Sequence, residues 1–356
     1  MFGMLRKRSQ ATVALDIGSS IVKALRIDHS GDRPRLTHFA MVNLLPEAIV
    51  EGEIMDREMV IEAVRECLER ARIQDSQVVS AVGGRSVIVK KIIMDKMTAA
   101  DAKDAILWEA EQHVPFDIDD ICLDFQIVKE DVGANQMEIL LVAAKKETIQ
   151  SHAEILREAG LTPLIIDVDA FAVQNAWETA LGQTSDEVVG LLNVGADVTS
   201  ICVVQNGIPY FTRDLAVGTN RFVEEVQREF GVGFEEAQAI VANPRGSHGI
   251  EVDRLADIVE SVASDLSTGV ERSLSFLRTS GDAETIDRVV LSGGGGGFPG
   301  LAEFLKERHG FDVQLGSPLD AVEFEPVDFE DYDMQSVAPL LAVSIGLGLR
   351  AQGDKS

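Results

Sequence analysis

Cysteine is rare in this sequence, and the histidines show no clustering. The three cysteines, Cys67, Cys122 and Cys202, are odd in number and far apart, and no CxxC pair occurs. Such a set gives neither a disulfide framework nor the spacing of a zinc site, so we interpret the cysteines as small buried residues in a reducing compartment. The six histidines show no HxH or HxxxH spacing, and we expect no metal site built from protein ligands alone.

Long apolar runs are also missing. The longest run, VAPLLAVSIGLGL at residues 337–349, is shorter than the ~20 residues that a membrane-spanning helix needs. No apolar stretch follows the basic residues of MFGMLRKRSQ at 1–10, so we expect no signal peptide. These features predict a soluble cytoplasmic protein that reaches a membrane only through partners.

Positive charge is in short supply. The 32 Lys and Arg residues face 59 Asp and Glu residues, which gives a formal net charge of −27. A field of this sign repels nucleic acids and anionic lipids and suits basic partners, although the general acidity of cytosolic proteins explains it equally well. At 356 residues, 46% of them hydrophobic, the chain is long enough for two lobes.

The stretch VALDIGSSIVKALRI at 13–27 places polar residues between two apolar, strand-forming runs. A tight turn at Gly18, Ser19 and Ser20 would aim backbone N–H groups into a concavity that suits a phosphate. Lys23 would add positive charge for a β- or γ-phosphate, and Asp16 is a hard oxygen ligand that can hold a water bound to Mg²⁺. We interpret this turn as a phosphate clamp.

A second stretch, VVGLLNVGADVTSICVV at 188–204, is similar to the first, and Asn193 lies 177 residues after Asp16. A repeat of about half the chain predicts two lobes of one ancestry that grip the same anion. A third motif, LSGGGGGFPGL at 291–301, follows an apolar strand, and its glycines allow close approach of a flat group such as a purine. Pro299 is predicted to start a helix. A flexible linker is the alternative, but it would not join a buried strand to an amphipathic segment.

Other segments define the remaining architecture. REMVIEAVRECLERARI at 57–73 has the periodicity of an amphipathic helix, and Thr98 with Asp101 predicts a helix cap. A strand–helix–strand–strand–helix block at 86–160 has the pattern of an inserted subdomain. The acidic run VEFEPVDFEDYD at 322–333 predicts a solvated surface loop.

The order and spacing of the three motifs resemble the actin/Hsp70/sugar-kinase superfamily, whose phosphate 1, phosphate 2 and adenosine motifs match residues 16–23, 193–199 and 292–300. Within it, DIGSSIVKALRI, NLLPEAIVEGEIMD, VDAFAVQNAWE, NVGADVTSICVV and PLLAVSIGLGLR are similar to the PilM family. These are actin-like cytoplasmic proteins of type IV pilus assembly, related to the division protein FtsA. The likeness covers residues 11–350.

The resemblance implies an α/β, two-lobed actin-like ATPase fold, a duplicated ribonuclease-H-like architecture. The first lobe (1A) is expected at 11–85 plus 161–185. A β-α-β-β-α subdomain (SHS2-type, 1C) is expected at 86–160. The second lobe (2A/2B) is expected at 186–350, with 2B at roughly 220–284.

The resemblance also implies ATP and Mg²⁺ as cofactors, with Asp16 holding the metal through water. The implied nucleotide-binding residues are Asp16, Gly18, Ser19, Ser20, Lys23, Asn193, Gly195, Ala196, Asp197, Thr199, Gly218, Gly293, Gly294 and Gly295. Asp16 and Asp169 are the candidate catalytic residues, because Asp169 lies where the superfamily positions the attacking water; a strand-end carboxylate without that role explains Asp169 about as well.

Two departures from the family pattern affect the expected activity. Asn193 replaces an aspartate of many relatives, and an amide can neither carry negative charge nor take a proton. Gln238 and Val241 replace residues that lie near the adenosine in FtsA-like proteins. We therefore expect slow or absent hydrolysis and weaker ribose and purine contacts.

The implied function is that of a scaffold. A PilN-like cytoplasmic tail is expected in a groove between the first lobe and the insert, around the strand at 86–94. PilO is expected as an indirect partner, a PilB/PilT-like motor ATPase and a PilC-like platform protein as further ones, and self-association as a further property. A small-molecule kinase and an FtsA-like division protein are the alternatives. FtsA ends in an amphipathic membrane helix, whereas GLRAQGDKS at 348–356 has nothing apolar to insert.

Overall fold

A computed structural model describes residues 11–50, 52–182, 186–242, 252–280 and 285–350. The stretches discussed above at 1–10 and 351–356, and the predicted boundary at 185, lie outside these residues. The described strands are β1 (Ala11–Ile17), β2 (Ile21–Asp28), β3 (Arg35–Asn43), β4 (Ile49–Val50), β5 (Glu53–Ile54), β6 (Gln77–Val82), β7 (Val87–Asp95), β8 (Ile121–Gly133), β9 (Gln136–Lys145), β10 (Thr162–Val168), β11 (Val188–Val194), β12 (Thr199–Gln205), β13 (Ile208–Leu215), β14 (Arg288–Ser292) and β15 (Asp312–Leu315).

The α-helices in the same ranges are α1 (Arg57–Arg70), α2 (Ala99–His113), α3 (Lys146–Glu158), α4 (Asp169–Leu181), α5 (Thr219–Phe230), α6 (Phe234–Ala242), α7 (Val252–Ser280), α8 (Leu301–His309), α9 (Met334–Val337) and α10 (Ala342–Gly348). None of these described helices combines the length and the apolar composition of a membrane span.

Two sheets repeat one topology. The first has the strand order β10-β6-β1-β2-β3, and the second begins β15-β14-β11-β12-β13. In each, three strands form an antiparallel meander and two more add in parallel to the first of them. The predicted two-lobed, duplicated α/β fold is therefore confirmed.

The first sheet is buried on both faces. In β1, Val13 and Leu15 pack with α1 and α3, whereas Ala14 on the opposite face packs with α4 and α10. Alternate residues of a strand point to opposite faces, so a nearly continuous apolar run is what a sheet between two helical layers requires. Helix α1 closes one face with the apolar stripe that its periodicity predicts, and Asp56 caps it by accepting the Met59 N–H at 3.0 Å.

The insert adds three strands to the second sheet, in the order β13-β7-β9-β8. Helix α2 covers one face of these strands, and Thr98 caps it as predicted, accepting the Asp101 N–H at 3.2 Å. Helix α3 packs elsewhere: its Ile155 and Leu156 belong to the first-lobe core with α1. The boundary at 160 remains a prediction, and this packing favours a boundary near Lys145 instead.

The acidic run at 322–333 is more than a solvated loop, and that expectation is wrong for its aromatic residues. Phe329 is 5% exposed, and its ring lies 6.4 Å from that of Phe39 on β3. The Tyr332 hydroxyl accepts the Met41 N–H at 3.2 Å, and Glu323 bonds through its backbone to Pro34 and Leu36. The run therefore covers the outer edge of β3. An uncovered edge strand could hydrogen-bond to other chains.

The cysteines behave as predicted at two positions of three. Cys67 and Cys202 are buried, but Cys122 is exposed. Cys122 lies on β8, the last strand of the sheet, next to Ile121, whose side chain is buried in the insert's core. Since neighbouring residues of a strand face opposite ways, Cys122 faces away from that core.

Replacing the aromatic anchor of the acidic run tests its role. We expect Phe329→Ala to lower the free energy of unfolding by about 3–5 kcal/mol, because a buried aromatic ring is lost from the core. The exposed neighbour substitution Glu330→Ala should change it by less than about 0.5 kcal/mol. Urea denaturation followed by circular dichroism measures both, and equal small effects would contradict the docked arrangement.

Candidate functional site

Each lobe carries a hairpin turn between the first two strands of its meander. In the first, Ile17 pairs with Val22, and the Gly18 N–H donates to the Ile21 carbonyl at 3.1 Å. In the second, Val194 pairs with Thr199, and the Gly195 N–H donates to the Val198 carbonyl at 3.0 Å. The two turns thus have the same length, register and closing bond, as the sequence repeat suggests.

The first hairpin holds a buried ion pair. Asp16 and Lys23 face each other across β1 and β2, and Lys23 Nζ lies 2.5 Å from Asp16 Oδ2. Ser344 of α10 donates to the same oxygen at 3.2 Å. The side chains of the pair are only 11% and 8% exposed, so each charge depends on the other for compensation. Oδ1 of Asp16 accepts no bond from the described residues and is available to a cation or its water.

The second hairpin is built against the start of α5. Gly195 and Ala196 accept the N–H groups of Thr219 and Asn220, both at 2.9 Å. Gly218 lies directly behind the turn, where a Cβ would come within 2.3 Å of the Ala196 carbonyl oxygen. A larger residue at 218 would therefore displace the turn.

The polar rungs beside the two turns differ in charge. In the first lobe, Asp16 on β1 is paired with Lys23 on β2, which is paired with Met41 on β3. In the second lobe, the residues at the same positions of β11, β12 and β13 are Asn193, Ser200 and Asp214. Ser292 donates its hydroxyl to Asn193 Oδ1 at 3.2 Å. The second lobe thus has no ion pair at this register; its carboxylate stands on the third strand.

The glycine run forms a compact turn. Gly293 has a φ of +80°, and its N–H donates to the Pro339 carbonyl at 2.7 Å. The Gly295 N–H donates to the Val194 carbonyl at 3.0 Å, so the glycine run is bonded to β11, the first strand of the second hairpin. Gly294, between the two bonded glycines, is exposed. The prediction that Pro299 starts a helix is wrong by two residues, because Gly300 at φ +90° precedes the first helical residue, Leu301.

Two further carboxylates lie where the lobes meet. Asp169, the first residue of α4, contacts Gly83 so closely that a Cβ there would lie 2.3 Å from its Oδ2. Asp214 accepts the backbone N–H of Gly84. Burial, with the neighbouring charges of Asp16 and Asp214, raises the pKa of Asp169 to about 7, and burial raises the pKa of Asp214 to about 6. The cleft therefore has an excess of negative charge.

The predicted site residues are not equally placed to contact a ligand. Within the described residues, the backbone N–H groups of Ser19, Ser20, Ala196 and Asp197 have no acceptor. The Thr199 side chain is fully buried and donates to the Val217 carbonyl at 2.7 Å, so it stabilises the turn from behind. The Asp197 carboxylate accepts from Asn220 at 2.6 Å.

Sequence reasoning missed three residues of this cleft. Ser344 is the only hydroxyl in an apolar run, which is the signal that could have drawn attention to it. Gly83 and Asp214 had no such signal, because their importance follows from contacts with residues distant in sequence, Asp169 and Gly84 respectively.

Two duplicated sheets with matching hairpins, whose carboxylates Asp16 and Asp214 both lie near Asp169 where the lobes meet, define an actin-like α/β fold. MreB5 of Spiroplasma citri, solved bound to AMPPNP, has the same fold at 12% identity, with a TM-score of 0.55 over 96% of this chain and 95% of that one. A much stronger match is a solved PilM–PilN type IV pilus biogenesis complex: 29% identity and a TM-score of 0.85 over 97% of this chain and 99% of that one.

The profile of the family described as type IV pilus assembly protein PilM matches residues 14–352, and the chain belongs to that family. The predicted family is thereby confirmed. FtsA of Bacillus subtilis is 22% identical over 86% of this chain and 78% of its own length. FtsA of Borreliella burgdorferi is 20% identical over 51% of this chain, which spans about half, 48%, of that relative.

The displaced pKa of Asp169 predicts a pH-dependent stability. A carboxyl whose pKa is higher in the folded state binds its proton more tightly there, so stability falls as the pH rises from about 4 to 7. We expect Asp169→Asn to remove most of this fall and to raise the free energy of unfolding at pH 8 by about 1–3 kcal/mol. Denaturant titrations of nucleotide-free protein at pH 5 and 8 measure this.

In Asp169→Asn, the free energy of unfolding should still fall somewhat as the pH rises from about 4 to 6, because the pKa of Asp214 is raised to about 6 in the folded protein. The matched control is Asp104→Asn, an exposed substitution on α2 that should reproduce the wild-type pH profile. A wild-type profile in Asp169→Asn would show that Asp169 is not the group responsible.

Proposed function

We propose that this protein is an ATP-binding scaffold on the cytoplasmic side of the type IV pilus assembly platform, where it binds the cytoplasmic tail of a PilN-like membrane protein. The observation that carries the proposal is the pair of matching hairpins, whose turns have backbone N–H groups without an acceptor among the described residues, together with the Asp16–Lys23 ion pair of the first hairpin. PilO would be linked indirectly, and a motor ATPase and a platform protein are further expected partners.

The cleft fits a magnesium–nucleotide complex in its donors and its charge. The amides of Ser19, Ser20, Ala196 and Asp197 would bind phosphate oxygens, as backbone concavities do. The surplus of carboxylates would repel a bare triphosphate, whereas Mg²⁺ supplies the charge that lets the two coexist. Asp16 would hold the metal through a water at Oδ1. The AMPPNP-bound MreB5 shows that a protein of this fold takes such a ligand.

Slow hydrolysis fits the same residues. Asn193 Oδ1 already accepts the Ser292 hydroxyl, and the amide cannot take a proton from water. Asp169, with a pKa near 7, is the one carboxylate here poised to exchange a proton at neutral pH, and it stays the candidate base. Bound ATP would then act mainly to hold the lobes together.

The proposed tail site lies along β7. This strand pairs with β9 over its whole length, but within the described part of the chain its register with β13 on the other side contains a single pair, Phe211 with Lys90. Main-chain groups along the rest of that edge suit an extended peptide, which adds as a strand. Ile93, 54% exposed on β7, offers an apolar contact beside it. The similar PilM–PilN complex supports this partner.

Removal of the cleft lysine tests the nucleotide site. We expect Lys23→Met to weaken MgATP binding at least tenfold, about 1.4 kcal/mol, because a positive charge near the phosphates is lost. Isothermal titration calorimetry measures the affinity, and a thermal melt verifies folding, since Asp16 loses its partner. The control is Lys306→Met, a lysine with a 63% exposed side chain on α8. Wild-type affinity in folded Lys23→Met would refute the assigned role.

An exposed apolar residue on β7 tests the tail site. We expect Ile93→Asp to weaken binding of a synthetic PilN-tail peptide at least tenfold, because the substitution replaces an apolar contact with a charge that gains no hydrogen bond in return. Fluorescence anisotropy of the labelled peptide measures it. Leu315→Asp on β15 is the matched control, since Leu315 is similarly exposed, at 50%, in the other lobe. Equal binding by both variants would place the tail elsewhere.

A further inference from the structure

A buried serine and histidine lie directly beneath the phosphate-binding hairpin of the first lobe. Ser80 on β6 is fully buried, and His152 on α3 is 6% exposed. The Ser80 hydroxyl lies 2.6 Å from the Leu15 carbonyl oxygen and 2.8 Å from His152 Nε2. Leu15 immediately precedes Asp16, so this chain of bonds ends one residue from the ion pair.

The direction of each bond follows from the groups involved. A carbonyl oxygen only accepts, so the single hydroxyl proton of Ser80 goes to Leu15. The hydroxyl must then accept from the ring, which places a hydrogen on His152 Nε2. Burial lowers the pKa of His152 to about 4, so the ring is neutral at pH 7 and that N–H is its one donor.

The hydroxyl acts where the strand ladder stops. The register between β1 and β6 contains Ala14 with Val79 and Leu15 with Ser80, and goes no further. On its other side, β6 stays paired with β10 up to Val82. The Ser80 side chain thus supplies a bond to β1 at the last paired position before Asp16.

Helix α3 connects this point directly to the insert. Strand β9, which lies between β7 and β8, ends at Lys145, and α3 begins at Lys146 with no loop between them. The helix is fastened to α1 by Arg57, whose guanidinium lies 3.2 Å from Glu154 and 2.8 Å from Glu158. A shift of β9 is therefore passed to His152 through a helix rather than absorbed by a flexible segment.

We propose that His152 is a positioning residue: through Ser80 it fixes the Asp16-bearing end of β1, and it thereby makes nucleotide affinity depend on what is bound at the inserted sheet. This inference rests on the proposed function, because its two ligands are MgATP in the cleft and an extended peptide on β7. By linkage, nucleotide binding alters peptide affinity by the same factor.

Calorimetric titration of MgATP into wild-type protein, with and without a saturating synthetic PilN-tail peptide, measures this coupling. We expect the peptide to change the MgATP dissociation constant by about fivefold or more. In His152→Leu and in Ser80→Ala the change should fall below about twofold, with peptide affinity in the absence of nucleotide unaltered. His152→Gln, whose amide can still donate to Ser80, should restore the coupling.

The second lobe offers a matched control. Ser267 and His309 form a pair with the same 2.8 Å separation between α7 and α8, without contact to β1. His309→Leu should therefore leave the coupling unchanged. Wild-type coupling in folded His152→Leu or Ser80→Ala, or binding of both ligands by wild-type protein without mutual effect, overturns the inference alone. Failure of wild-type protein to bind either ligand overturns the proposed function, and this inference with it.

Discussion

The buried pair of Asp16 and Lys23 is the interaction on which the rest of the cleft depends. Its two charges lie in a sheet covered by helices on both faces, where an unpaired charge would be strongly destabilising. Four elements meet to hold it: β1 and β2 supply the charges, α10 supplies the Ser344 hydroxyl, and β6 fixes the preceding residue through Ser80. Helix α10 packs closely on α4 because residue 346 is glycine: a Cβ there would lie 1.7 Å from the Ala172 carbonyl oxygen.

Duplication gave the two lobes one backbone plan and different chemistry. The hairpins match in register and closing bond, yet only the first carries an ion pair; the second has Asn193 and Ser200 at the equivalent rung. At this rung the first lobe therefore has two charged side chains and the second has uncharged ones, with its carboxylate, Asp214, on the third strand. In the proposed function, this difference fits slow hydrolysis, because the amide of Asn193 cannot take a proton from water.

Local patterns predicted local features of this protein well. The stripe of α1, the Thr98 cap and the two turns depend on residues close in sequence, and the half-chain repeat on a match between two short motifs; the structure has each of them. Features that depend on distant contacts were missed: the Thr199 hydroxyl donates to the Val217 carbonyl, Ser344 reaches Asp16 across 328 residues, and Phe329 packs on β3. Cys122 was wrongly expected to be buried because the face of β8 that packs on the insert's core cannot be read from the sequence. The helix start was misplaced because Gly300, not Pro299, precedes the first helical residue.

The insert is joined covalently to the first lobe at both ends, yet its sheet hydrogen-bonds to the second lobe through the rung of Phe211 and Lys90. A rotation of one lobe against the other must therefore either separate that rung or bend the chain at both junctions of the insert with the first lobe, at Gly83–Gly84 and at Lys145–Lys146. A single hydrogen bond of this kind contributes only about 1 kcal/mol, and Asp214 of the second lobe also accepts the Gly84 N–H nearby. Distance labels placed on α2 of the insert and α8 of the second lobe would distinguish the two outcomes, because their separation changes only when that rung separates.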